Sequence, residues 1–152
     1  MKQQETIDYL LKVVWQNVSN TYNQIASGFG ITQAIGYVLI NIDKDGTAVS
    51  QLAGLLGVKA TSLSRILSNM EENGLIYREA VPEDKRSVKV FLTEFGREKR
   101  QLAKTVVRSF NAYLSENLSV EEKDKLVSTL QKLNELTLGY TITTGNNEQK
   151  DK

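Results

Sequence analysis

The side chains of this chain best suited to recognition chemistry crowd into one short segment. Thr61, Ser62, Ser64, Arg65, Ser68 and Asn69 stand close together, with no large apolar residue among them except those spaced for a core. Short hydroxyls let a backbone approach the edges of bases, and an arginine can donate two parallel hydrogen bonds to guanine. A second group, Lys85, Arg86 and Lys89, follows in a charged stretch. A guanidinium on a rigid turn suits a narrow, electronegative minor groove. Asp84 can fix the direction of Arg86 through a charge-assisted hydrogen bond.

Catalytic chemistry has little to work with. The 152 residues include no cysteine and no histidine. That excludes a disulfide framework, a thiol redox sensor, a Cys/His zinc site and nucleophile–histidine triads. No glycine-rich phosphate loop follows a strand, and no carboxylate pair stands in an apolar context. We therefore expect neither an enzyme nor a cofactor, and no metal site.

Net charge is only +1, but its distribution is uneven. Residues 59–108 hold 11 Lys/Arg against 7 Asp/Glu and contain every arginine; the rest holds 8 against 11. A basic middle between acidic arms points to an anionic partner for the middle, with chance clustering as the plain alternative.

The recognition segment needs elements to position it. Apolar residues at three- and four-residue steps predict a helix over 6–27, then a break at Ser27-Gly28-Phe29-Gly30. Thr32 is the expected N-cap of a second helix reaching about Ile42, and Ser50 that of a short one ending at Gly57. A further helix is expected from about Ala60 to Asn73, stopped by Gly74. Strands follow over 76–81 and 88–92, joined by the six-residue charged tip 82–87. Thr93 is placed to cap a long helix to about Asn117. Ser119 and Glu122 have capping-box spacing for a last helix to about Leu138. Residues 143–152 carry no apolar side chain and are expected to be a disordered tail.

Within this order, Ala53 and Gly57 have the spacing of a helix-turn-helix, with a small contact residue followed by a turn residue. Leu63, Ile66, Leu67 and Met70 cluster on one side of the next helix. Thr61, Ser64, Arg65 and Ser68 fall opposite, with Ser62 and Asn69 on the flanks. A helix-turn-helix followed at once by a charged hairpin is a winged helix. The fold class is thus mainly α with a small β-hairpin wing.

At this point the residues resemble the MarR family of bacterial transcriptional regulators. The likeness rests on Ser50–Val58, Thr61-Ser62-Leu63-Ser64-Arg65, and Met70-Glu71-Glu72-Asn73-Gly74-Leu75-Ile76-Tyr77-Arg78. It continues through Asp84-Lys85-Arg86-Ser87 and Leu92-Thr93-Glu94-Phe95-Gly96. The resemblance implies one domain over 1–142. It would have a winged-helix core at about 31–92 and dimerisation helices at about 6–27 and 94–140. It implies a homodimer on pseudo-palindromic double-stranded DNA, with Ser62, Ser64 and Arg65 as recognition-helix contacts and Arg86 as the wing contact. Arg78 takes the family's position near the DNA backbone. The chain departs from the family in Ile35-Gly36 before Tyr37 and in Val81-Pro82-Glu83 at the wing entry. The cysteine-based peroxide-sensing branch is excluded, because there is no thiol to oxidise.

The long terminal helices argue for a dimer in their own right. A compact winged helix cannot cover all their apolar faces, and a second copy can. Many family members are released from DNA by a small aromatic or acidic effector. Trp15, Tyr22, Tyr37 and Phe110 form the candidate ligand pocket, although the same four side chains also suit a core. The function expected is a dimeric, sequence-specific DNA-binding transcriptional repressor released by a small ligand. The alternative is a winged-helix protein-interaction module without specific DNA binding. With no apolar run long enough for a membrane span and no signal-peptide pattern, the expected location is the cytoplasm.

Overall fold

A computed structural model of the chain describes residues 3–141, apart from the side chains of Gln3, Lys85 and Arg86. The expected tail at 143–152 lies outside the described residues. The chain divides into two units, 1–109 and 110–152.

The first unit holds the winged helix. A 3-10 turn at Gln3–Glu5 leads into helix α1 (Ile7–Ser27), followed by α2 (Gln33–Ile40), β1 (Thr47–Ala48), α3 (Val49–Leu56) and α4 (Ala60–Glu72). Strands β2 (Ile76–Val81) and β3 (Asp84–Leu92) come next, and then α5 (Glu94–Glu116) begins. The antiparallel sheet has the order β1-β3-β2. Val38, Leu39, Ile42, Leu52, Leu63, Leu67, Met70, Ile76 and Val90 are buried and form one core beneath α4 and the sheet. Burial of these apolar side chains is what holds α3, α4 and the sheet in register with one another.

Local chemistry sets most of the boundaries. The hydroxyl of Thr32 accepts from the Ile35 N–H at 3.2 Å and starts α2. Gly57 adopts φ +60° between α3 and α4, and Gly74 adopts φ +70° after α4. These are left-handed conformations in which a Cβ is costly. The one buried polar residue among those described, Thr47, accepts from the Asp43 N–H at 2.8 Å, so its hydroxyl is satisfied.

Thr93 does two jobs at the start of α5. Its hydroxyl donates to the Gly74 carbonyl at 2.5 Å and accepts from the Gly96 N–H at 2.9 Å. This side chain both caps α5 and ties it to the turn after α4.

Three expectations need correction. Ser50 is not the cap of α3; the cap position is Ala48, with no side-chain hydrogen bond, and Ser50 lies inside the first turn. The helix is entered directly from β1, a short strand that the sequence reading lacked. The second helix stops at Ile40 rather than Ile42, because the chain must turn there to reach β1. The hairpin tip is shorter than six residues. Val81 pairs with Asp84 across Pro82-Glu83, while the next pair inward is Ala80 with Val88. Residues 85–87 therefore bulge from β3 instead of belonging to the turn.

The second unit comprises the end of α5 and α6 (Val120–Leu138). The expected capping box is present. The Glu122 N–H donates to Ser119 Oγ at 3.2 Å, and the Ser119 N–H donates to Glu122 Oε2 at 2.8 Å. Those bonds hold the Glu122 carboxyl below its ordinary pKa, the backbone N–H of Ser119 contributing most. Among the described residues, no helix is long and apolar enough to cross a membrane.

Candidate nucleic-acid interface

Helix α4 is seated by one face and displays the other. Leu63, Leu67 and Met70 are fully buried, and Ile66 is half-buried. Thr61, Ser62, Ser64, Arg65 and Asn69 are exposed, and Ser68 is half-buried. The helical wheel read from the sequence matches this arrangement. Ala53 is half-buried against the core and Gly57 makes the left-handed turn, so α3 and α4 meet as a helix-turn-helix. Arg65 makes no hydrogen bond or ion pair among the described residues, which leaves its forked donors available.

The two flanks of α4 have different neighbours. Asn69 lines a hollow of about 450 Å³ together with Asn73, Phe95, Lys99 and the turn between α1 and α2. Ser64 lies on the opposite flank, the side on which Glu71 meets the wing. Arg78 on β2 donates from Nε and Nη2 to Glu71 Oε2 at 2.8 and 2.6 Å. The arginine expected near the DNA backbone is thus held by a carboxylate of α4. Sequence reasoning missed this pairing, because no local spacing rule joins residues on either side of a helix stop.

The wing places its expected contacts in different settings. Lys89 stands directly opposite Glu79 in the β2–β3 ladder. Alternation along a strand puts this pair on the sheet face opposite Arg78. At the bulge, Ser87 Oγ donates to Asp84 Oδ2 at 2.7 Å. Asp84 was expected to brace Arg86; the side chains of Arg86 and Lys85 lie outside the described residues. Tyr77 and Phe91 stack on the outer face with centroids 5.3 Å apart.

The four aromatics of the candidate ligand pocket do not share one space in the first unit. Tyr22 and Tyr37 line an apolar cavity of about 40 Å³ with Ala26, Gly36, Ala103 and Val107. That volume suits a water or two but not an aromatic ring. Trp15 meets Tyr37 edge-on at 6.3 Å, and the two line a separate hollow of about 330 Å³ with Leu55, Leu56, Val58 and Ile66. Phe110 opens the second unit.

Comparison with known proteins agrees with this geometry. The MarR family model matches residues 38–88, from the middle of α2 through the bulge of the wing. The chain is similar to the S. aureus MepR–DNA complex, at 24% identity and TM-score 0.81, over 87% of this chain and 98% of that one. It is similar to a mutant of E. coli MarR complexed with operator DNA, at 28% identity and TM-score 0.77, over 88% and 98%. It is also similar to the transcriptional regulator SlyA, at 20% identity and TM-score 0.78, over 86% and 93%. The resemblance read from the motifs is thus matched by the family model over residues 38–88, and the fold is the winged helix of these structures.

Proposed function

We propose that this chain is a dimeric, sequence-specific DNA-binding transcriptional regulator of the MarR family that represses its target until a small ligand releases it. One observation carries the DNA reading. Helix α4 is anchored by Leu63, Leu67 and Met70 while it presents Thr61, Ser64 and an unpartnered Arg65 to solvent. Such a helix can enter a major groove as a fixed body, with the hydroxyls near the bases and Arg65 forking onto guanine. Ser62 and Ser68 extend the contact, and Asn69 reaches from the far flank. Lys85, Arg86 and Lys89 serve the wing, which follows the flanking minor groove and the backbone.

The dimer reading rests on the arms. Ile7, Leu10, Val14 and Trp15 on α1 are each more than half exposed. On α6, Leu126, Leu130 and Leu136 are exposed as well. Apolar stripes of this length on helices call for a partner, and a second copy supplies matching ones. Twofold symmetry would set two recognition helices about 34 Å apart, one turn of duplex. An effector that prefers a dimer with a different spacing would lower DNA affinity by the ratio of its two affinities. The hollow beside Trp15 and Tyr37 offers room for a small aromatic ligand.

The test is selection of duplexes from the source's own genomic fragments by the purified protein at about 150 mM salt, where non-specific binding is weak. The expected product is an inverted repeat with half-sites one turn apart. Retention of every duplex at low salt and none at about 150 mM salt would count against sequence-specific reading.

A further inference from the structure

Glu71 has no part in the helix-turn-helix pattern, yet it makes the only ion pair among the described residues. Two donors of Arg78, Nε and Nη2, converge on its Oε2. The side chains of Arg78 and Glu71 are 31% and 39% exposed, so the pair is partly shielded from water. Glu71 follows Ser64 by two helical turns and shares its side of α4. The pair therefore stands at the edge of the polar recognition face, where helix and wing join.

An unpaired guanidinium at that edge would attract the phosphates of any duplex, whatever its base sequence. A carboxylate holding two of its donors cancels most of that attraction. A phosphate could displace Glu71 only by leaving its negative charge beside the DNA. The same two bonds tie β2 to the last turn of α4 and so restrain the angle between wing and recognition helix.

We infer that Glu71 is the positioning and specificity-setting residue of this DNA reader. It locks the wing to the recognition helix through Arg78 and withholds Arg78 from sequence-blind phosphate binding. This rests on the DNA-binding reading above, and it removes Arg78 from the set of backbone contacts.

Glu71→Gln keeps the shape and loses the charge, and Arg78→Met keeps the stem and loses the fork. Each is compared with the wild type on a selected duplex and on a scrambled duplex of equal length, from about 50 to 200 mM salt. Glu71→Gln is expected to bind the scrambled duplex several-fold more tightly and to steepen the log–log salt slope by about 0.9, the value of one phosphate contact. Its preference for the selected duplex falls several-fold. Arg78→Met is expected to weaken the selected complex without making the slope shallower. A slope shallower by about 0.9 in Arg78→Met would show a direct phosphate contact and overturn the inference. An unchanged slope and an unchanged preference in Glu71→Gln would overturn it as well, and that variant decides alone if Arg78→Met fails to fold. A wild type that cannot tell the two duplexes apart brings down the parent reading and this one with it; a discriminating wild type confines any failure to the pair.

Discussion

The carbonyl oxygen of Leu75 occupies the space that a Cβ on Gly96 would fill. The first turn of α5 rests directly on the chain leaving α4, and Thr93 bonds both sides of that contact. The glycine of the Leu-Thr-x-x-Gly motif is therefore a steric requirement, distinct from the conformational one at Gly74.

Gly96→Ala should destabilise the fold by about 3 kcal/mol or more, the upper end of overpacking costs, because the atom in the way is backbone and not a side chain that can swing aside. Gly74→Ala meets open space and should lose only about 1–2 kcal/mol, the cost of a left-handed non-glycine residue. Urea unfolding at one fixed protein concentration ranks them. Equal losses, or a milder Gly96→Ala, would contradict the close approach of α5.

Arg65 and Arg86 should fail in different ways. Arg65→Ala is expected to cost about 1–3 kcal/mol on the selected duplex and to relax preference at one base position per half-site. Arg86→Ala should weaken selected and scrambled duplexes alike. Binding measured across a panel of single-base variants separates the two patterns. Identical profiles would remove the division of labour between helix and wing.

The exposed stripe of α1 gives a test of assembly. Val14→Asp puts a charge in its middle, where the valine is 59% exposed in the single chain and contributes little to its core. The variant should sediment as a monomer at concentrations where the wild type is a dimer. It should also bind the full inverted repeat about tenfold or more weakly, because the second half-site is no longer tethered. A variant that remains dimeric would show that α1 lies outside the interface.

The capping box of α6 predicts a pH dependence. The Glu122 carboxyl titrates lower in the folded chain than its ordinary value, because the Ser119 N–H and hydroxyl favour its charged form. A depressed folded pKa stabilises above the unfolded pKa, and that contribution fades as pH falls through the folded one. Thermal melts of wild type and Glu122→Gln should differ most near neutral pH and converge under acid conditions. A gap that widens on acidification would reverse the sign and refute the cap.

What the sequence made legible was what local rules govern. Thr32, Gly57, Gly74 and the Ser119–Glu122 box each act within four residues, and each stands where its residue type suggested. The polar face of α4 followed from helical periodicity alone. Contacts between distant segments were not legible. β1 is two residues long and exists only because β3 pairs with it. Glu71 and Arg78 meet because a left-handed glycine turns the chain back beside α4. Composition likewise does not say that Tyr22 and Tyr37 line one hollow while Trp15 and Tyr37 line another.

The bulge at 85–87 has a consequence for how this protein can change. The ladder from Ile76–Leu92 to Ala80–Val88 is complete before the bulge begins. Side chains alternate along a strand, so a one-residue slip inside the ladder would turn Val90 outward and expose the core. Residues added or removed beyond Ala80–Val88 shift nothing inside it. The wing tip is thus a module whose length and charge can vary while the scaffold stays fixed. About seven residues at that tip can be exchanged without repacking a single core side chain.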